Sequence, residues 1–298
     1  MFQSIVYRMQ KGVFVNRKII LVAETGSDIS RELADQLGVF LVPMHVSMGE
    51  QTLDDGTFPP EEVCAYYDRT GKTPQTSASG PADFEQIFDT IHAQYPQAQI
   101  LHLAYSAVTT CSYQNARLAA AERNYVTSVD TQHVSVGQGV VVRKVAQFLH
   151  EQPDLSIEAA AEAARQIAQQ VHMCFVPDKL DYLRAGGRVS NVVALTGNLL
   201  GLHPCIEILD GKLMARKKYR GAIAHIIPKL ISDFSEKFSL KKDELYLIET
   251  PRLSDAVRKI AEESAHACGF SKVEWVKTGC VITCHSGPNA FGIVGLSK

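Results

Sequence analysis

A chain of 298 residues with 46% hydrophobic side chains can build a substantial core, and at that length two domains are the natural expectation. A formal net charge of -2 leaves no global basic field to draw in nucleic acid or an anionic membrane surface. The 7 cysteines are odd in number and scattered behind no secretory signal, which reads as reduced thiols in a soluble cytoplasmic protein.

In chain order, residues 1–17 carry Arg8, Lys11 and Arg17 without an apolar block long enough to be a signal or a spanning helix. They read as an extra leader, disordered or tag-like. Residues 18–24 are a continuous apolar run, the pattern of a strand buried on both faces. Thr25 to Asp28 form a polar turn, Ser30 can cap a helix, and Gly38 ends it. Residues 40–46 are a second apolar run; Pro59-Pro60 opens a helix over 61–69. Residues 72–81 read as a loop of small hydroxyl side chains, followed by a helix over 82–93. A third strand is expected over 99–105, a polar turn over 106–112 and a helix through 124. Residues 125–130 read as a fourth strand, and Ser135, Gly137 and Gly139 precede a helix reaching 150.

Strands alternating with helices of this length imply parallel βαβ units and a doubly wound sheet. Its ligand-facing edge lies at the carboxyl ends of the strands. Four hydroxyl-rich loops converge there: after Glu24, after Lys72, after Tyr105 and after Asp130. None carries a dinucleotide or phosphate-loop fingerprint, so nucleotide binding by this half is unsupported.

The Gln152-Pro153-Asp154 turn reads as a linker, and the alanine-rich helix over 156–171 as the crossover into a second domain. A strand begins near Cys174, and Leu180 and Leu183 sit at helical spacing beyond it. Gly186-Gly187 then stands between Arg184 and Arg188, with Ser190 placed to cap a helix over 191–200. On these residues alone the stretch reads first as a helix C-cap followed by a solvated arginine, the alternative being a backbone and guanidinium that approach an anion together. Residues 204–209 and 212–217 form a hairpin around Asp210-Gly211. A helix runs through 238, a strand over 245–249, a helix over 254–269, and strands over 272–277 and 290–296. Before the last strand, His285 followed by Gly287-Pro288 reads as a histidine in a tight turn, either bonded to nearby backbone or facing a cleft. Cys280, Cys284 and His285 lack the second cysteine pair of a zinc finger, so no metal is expected.

Five ordered segments carry a resemblance. Leu180-Asp181-Tyr182-Leu183-Arg184-Ala185-Gly186-Gly187-Arg188 looks like the Leu-x-Tyr-Leu-x-x-Gly-Gly-Arg motif of the DegV family, the fatty-acid-binding proteins that serve a bacterial fatty acid kinase. Residues 22–28 are similar to that family's opening Val-Thr-Asp-Ser-Thr-x-Asp, residues 76–81 to its Thr-Ser-Gln-Pro-Ser-Pro loop, and residues 285–289 to its His-Thr-Gly-Pro-Gly. Asp130-Thr131 with Ser135, Gly137 and Gly139 resembles a further family segment. One place departs. Where the family reads Ser-Ser-x-Leu-Ser-Gly-Thr-Tyr-Gln, this chain has residues 106–114, with Thr110 for a ligand-binding serine and Cys111 for a glycine.

The resemblance implies two α/β domains, an N-terminal doubly wound parallel sheet over 18–154 and a C-terminal mixed sheet with helices over 155–298, with a lipid slot between them. It implies a long-chain fatty acid as ligand, its carboxylate held by Thr76, Thr110, Cys111 and His285. Ser77, Ser106, Gly186, Gly187 and Gly287 would line or support that site. Arg184 and Arg188 would face a phosphate or a separate ATP-dependent kinase, and the acyl-phosphate would be carried onward to phospholipid synthesis, with a transient membrane contact. Such a protein is a carrier without a cofactor and not itself an enzyme. The rival reading is a small-molecule enzyme using Cys111 and His285 in the same crevice.

Overall fold

The computed structural model describes residues 18–188 and 201–298. The leader over 1–17, the cap at Ser190 and the helix expected over 191–200 lie outside them.

The first half begins with β1 (Ile19–Glu24), a 3-10 turn (Thr25–Ser27), α1 (Arg31–Leu37) and β2 (Val39–Val42). There follow β3 (His45–Met48), β4 (Gln51–Asp54), α2 (Glu61–Thr70), β5 (Gln75–Ser77), α3 (Pro81–Gln94) and β6 (Gln99–Ala104). It continues through α4 (Ser112–Ala119), β7 (Val126–Asp130), α5 (Ser135–Glu151) and α6 (Ile157–Gln170). The second half runs β8 (Val171–Val176), α7 (Asp181–Gly186), β9 (Leu202–Leu209), β10 (Lys212–Arg220) and α8 (Ile223–Lys237). It closes with β11 (Glu244–Glu249), α9 (Asp255–Ala267), β12 (Lys272–Lys277), α10 (Cys280–Ser286) and β13 (Phe291–Leu296).

The expected parallel sheet is present, with order β2-β1-β6-β7. The second sheet, β10-β9-β8-β13-β11-β12, is antiparallel except where β11 meets β12. Successive side chains of a strand point to opposite faces, and β1 divides accordingly. Ile20 and Val22 join Phe84 and Phe88 of α3, whereas Ile19, Leu21 and Ala23 join the core containing α5 and α6. That core also takes in Met173, Ile206 and Val294 of the second sheet. Helix α5 thus lies between the two sheets, and α8 and α9 cover the far face of the second. Among the described residues no helix is long and apolar enough to cross a membrane.

Several expectations are corrected. The apolar run 40–46 is two strands, because Pro43 and Met44 separate β2 from β3. The loop 72–81 contains β5, which joins β3 and β4 in a small antiparallel sheet. Helix α4 stops at Ala119 instead of reaching 124. Ser135, Gly137 and Gly139 lie inside α5, not before it. There the glycines allow close packing: a Cβ at Gly139 would stand 2.4 Å from the Ser27 carbonyl oxygen. The hairpin is as expected, with Asp210 at φ 48° and Gly211 at φ 76°, the conformation that a two-residue turn of this hand needs.

Candidate functional site

A largely apolar cavity, partly open to solvent, lies between the two halves. Met44, Tyr105 and Val134 line it from the first half, and Met173, Phe175 and Leu213 from the second. Polar side chains gather on its wall. Thr76 comes from β5, Thr109 and Thr110 from the loop after β6, and His285 from α10; Arg188 stands at its exposed border.

Thr76 Oγ1 and His285 Nε2 are 2.8 Å apart, across 209 residues of sequence. His285 Nδ1 has no partner among the described residues. Orphaning a lone pair costs less than orphaning an N–H, which assigns the hydrogen to Nε2. His285 then donates to Thr76, leaving the Thr76 hydroxyl hydrogen free to donate into the cavity. Burial, together with the Arg188 guanidinium, pushes the imidazole down to about 4, so it is neutral at physiological pH.

His285 is not in a tight turn, which corrects the sequence expectation. It occupies the last turn of α10, and Gly287 ends that helix at φ 71°. Two distant glycine motifs meet here. A Cβ at Gly186 would lie 2.2 Å from His285 Nδ1, and one at Gly287 would lie 2.6 Å from the Tyr182 ring. Gly186 therefore leaves room for the imidazole, and Gly287 for the tyrosine of α7. Gly187 is the left-handed C-cap of α7, and a Cβ there would meet nothing among the described residues.

The other singled-out residues are dispersed. Ser77 lines the cavity beside Thr76. Ser106 is buried and donates to the Gly211 carbonyl at 2.8 Å, tying the loop after β6 to the hairpin of the second sheet. Cys111 is exposed at the N-terminus of α4, outside the cavity lining, and accepts a long contact from Asn115 Nδ2 at 3.6 Å. Arg184 is exposed, outside the lining, and 4.0 Å from Asp181. Arg188 donates to the Gly186 carbonyl at 2.7 Å. Among the described residues no group of three or more His, Cys, Asp or Glu side chains is arranged to hold a metal.

Three buried carboxyl groups escaped the sequence reading as working parts. Glu24 is wholly enclosed and accepts from the Tyr105 amide at 2.9 Å, Ser112 Oγ at 2.7 Å and Gln138 Nε2 at 2.7 Å. Its burial favours the neutral acid, but His102, 3.3 Å away, and these donors outweigh that and hold the group below its ordinary range. Asp28 accepts from the Gly279 amide at 2.7 Å and from Ser135 Oγ; burial pushes it up to about 8. Asp55 accepts from the Cys280 amide at 2.9 Å, and burial raises it as well. Glu24 and Asp28 fall within the 22–28 segment that carries the family resemblance, but it gave them no role, and Asp55 was not singled out.

The chain matches, over residues 18–298, the family described as "Uncharacterised protein, DegV family". A DegV domain-containing protein of Deinococcus radiodurans is 29% identical over 280 residues, covering 92% of this chain and 97% of that one. Another, from Caldanaerobacter subterraneus subsp. tengcongensis, is 27% identical over 284 residues, covering 93% and 98%. The solved structure of a DegV family protein from Thermus thermophilus, described by its fatty acid binding, superposes with a TM-score of 0.81 at 26% identity, covering 94% of this chain and all of that one.

Proposed function

The chain belongs to the DegV family, and from that premise we propose that it binds a long-chain fatty acid in the cavity between its sheets. The observation that carries this reading is the paired Thr76 and His285 on the wall of a largely apolar cavity. A buried alkyl chain gains roughly 0.8 kcal/mol per methylene, so a long tail supplies a gross term on the order of 10 kcal/mol before the costs of association. The head group is the obstacle, because a carboxylate drawn out of water costs several kcal/mol unless it is hydrogen-bonded. Hydroxyl donors from Thr76 and Thr110 meet it, and a neutral imidazole fixes Thr76 without placing a further buried charge beside the tail. Equilibrium binding of labelled palmitate tests this: the wild type binds, and Thr76→Ala weakens binding by about tenfold, the loss of one charge-assisted hydrogen bond.

We further propose that the bound acid is presented to a separate ATP-dependent kinase, leaves as an acyl-phosphate for phospholipid synthesis, and that the protein works in the cytoplasm as two α/β units divided near residue 154. Arg188, exposed at the border of the cavity, then meets the phosphate or the kinase, with Arg184 beside it. Arg188→Ala separates the roles. Palmitate binding survives while phosphorylation by a fatty acid kinase fails; loss of both together refutes the assignment of Arg188.

A further inference from the structure

Besides Thr76 on β5, the head-group residues of the cavity wall sit on two elements that have no covalent reason to face each other, the 105–112 loop and α10. Both are held by one short stretch, Glu24 to Asp28, at the end of β1. Glu24 grips the loop at both ends, through the Tyr105 amide and the Ser112 hydroxyl, and Thr109 and Thr110 lie between those anchors. Gln138 Nε2, which also donates to the Leu103 carbonyl at 2.9 Å, and His102 hold Glu24 itself in place. Four residues on, beyond the 3-10 turn, Asp28 takes the Gly279 amide immediately ahead of α10, and with its other oxygen takes Ser135, a cavity-lining residue. Asp55 takes the next amide, that of Cys280. The fit at this joint is close: a Cβ at Gly279 would stand 3.1 Å from Asp55 Oδ1 and 3.4 Å from Asp28 Oδ1.

We propose that Glu24 and Asp28 are positioning residues for the head-group site: Glu24 sets the loop that carries Thr110, and Asp28 sets the helix that carries His285. The inference rests on the fatty-acid reading above. Buried carboxyl groups are costly, and apolar replacements for such groups are often neutral or stabilising elsewhere. Acidic side chains clasping the loop of Thr110 and the helix of His285 fit a demand for orientation better than a demand for stability. Tenths of an ångström matter at such sites, and supporting hydrogen bonds supply them.

A positioning role differs from a general structural one in what it spares. The tail is held by apolar side chains, and of the wall Glu24 holds only the Tyr105 backbone amide and Asp28 only the Ser135 hydroxyl, so ligands with a carboxyl head should suffer most. The test compares palmitate with hexadecanol, which has the same tail and no carboxylate, on the wild type and on Glu24→Gln, Asp28→Ala and Asp28→Asn. Thermal unfolding is recorded for each. Glu24→Gln keeps the volume but turns a donor toward neighbouring donors, and carries the test if Asp28→Ala does not fold. The expected result is a loss of palmitate affinity of about tenfold in Glu24→Gln and Asp28→Ala, with hexadecanol changed about twofold at most. Asp28→Asn, which keeps an acceptor for the Gly279 amide, recovers most of the palmitate affinity. An unchanged acid-to-alcohol ratio, whether both ligands weaken or neither does, overturns the positioning role. A wild type that takes the acid no better than the alcohol overturns the head-group reading itself, which is a separate outcome.

Discussion

His133 and His285 are both held unprotonated by their surroundings, each pushed down to about 4 from an ordinary value of 6.5. For His133, which is 7% exposed, burial is the chief cause and the nearby His172 adds to it, against the opposing bond that its Nε2 donates to the Ala168 carbonyl at 3.0 Å. Between pH 6.5 and 4 the unfolded chain binds a proton at this residue that the folded chain refuses. Stability from this source is therefore complete above pH 6.5 and declines as pH falls toward 4, by on the order of 3 kcal/mol for an enclosed group. Asp28 has the opposite sign: raised to about 8, it sheds stability as pH climbs through the same range and beyond. The difference curve isolates the histidine. Denaturant titrations of wild type and His133→Gln from pH 7.5 to 4 should converge toward acid, whereas a constant gap contradicts the buried neutral imidazole. At this scale Thr76 and His285 were legible as residue types suited to an acid head, but not their contact, which spans 209 residues.

At the level of elements, what the sequence announced were the locally capped pieces. Ser30, read as a cap, and Ser156 and Ser254 each accept from an amide three residues on, and the helices start within one residue of the expected positions. Helix α10 was missed because its caps are not local. The carboxyl groups that satisfy its first amides come from Asp28 and Asp55, 251 and 225 residues away. Strand β5 was missed for a related reason: a run of hydroxyl residues becomes a strand only by pairing with β3. The double glycine of α7 makes a paired prediction. Gly186→Ala drives a methyl into His285 and should lower palmitate affinity by about tenfold or more, since misplacement of a binding group by about 1 Å can cost that much. Gly187→Ala meets nothing among the described residues but forces a left-handed backbone at φ 62°. It should cost about 1 kcal/mol of stability and have a far smaller effect on affinity. Equal effects of the two substitutions on affinity would contradict the separate roles given to these glycines.

Across the whole molecule, the alternation of strands and helices in the first half sufficed to read a parallel sheet, and the Asp210-Gly211 turn a hairpin. How the halves stack was not readable. The shared core is built from β1, α5, β8 and β13 side chains whose partners are settled only by packing, and α5 is apolar enough to lie between two sheets without declaring which. The cavity is a consequence of that stacking, because its walls belong to both halves. The account stands or falls on whether that space takes an acyl chain. Organic extraction of the purified, natively folded protein, followed by mass spectrometry, measures this directly. The account predicts one long-chain fatty acid per chain, displaced by added labelled palmitate. An extract free of fatty acid, from protein that also fails to take up labelled palmitate or oleate, contradicts it.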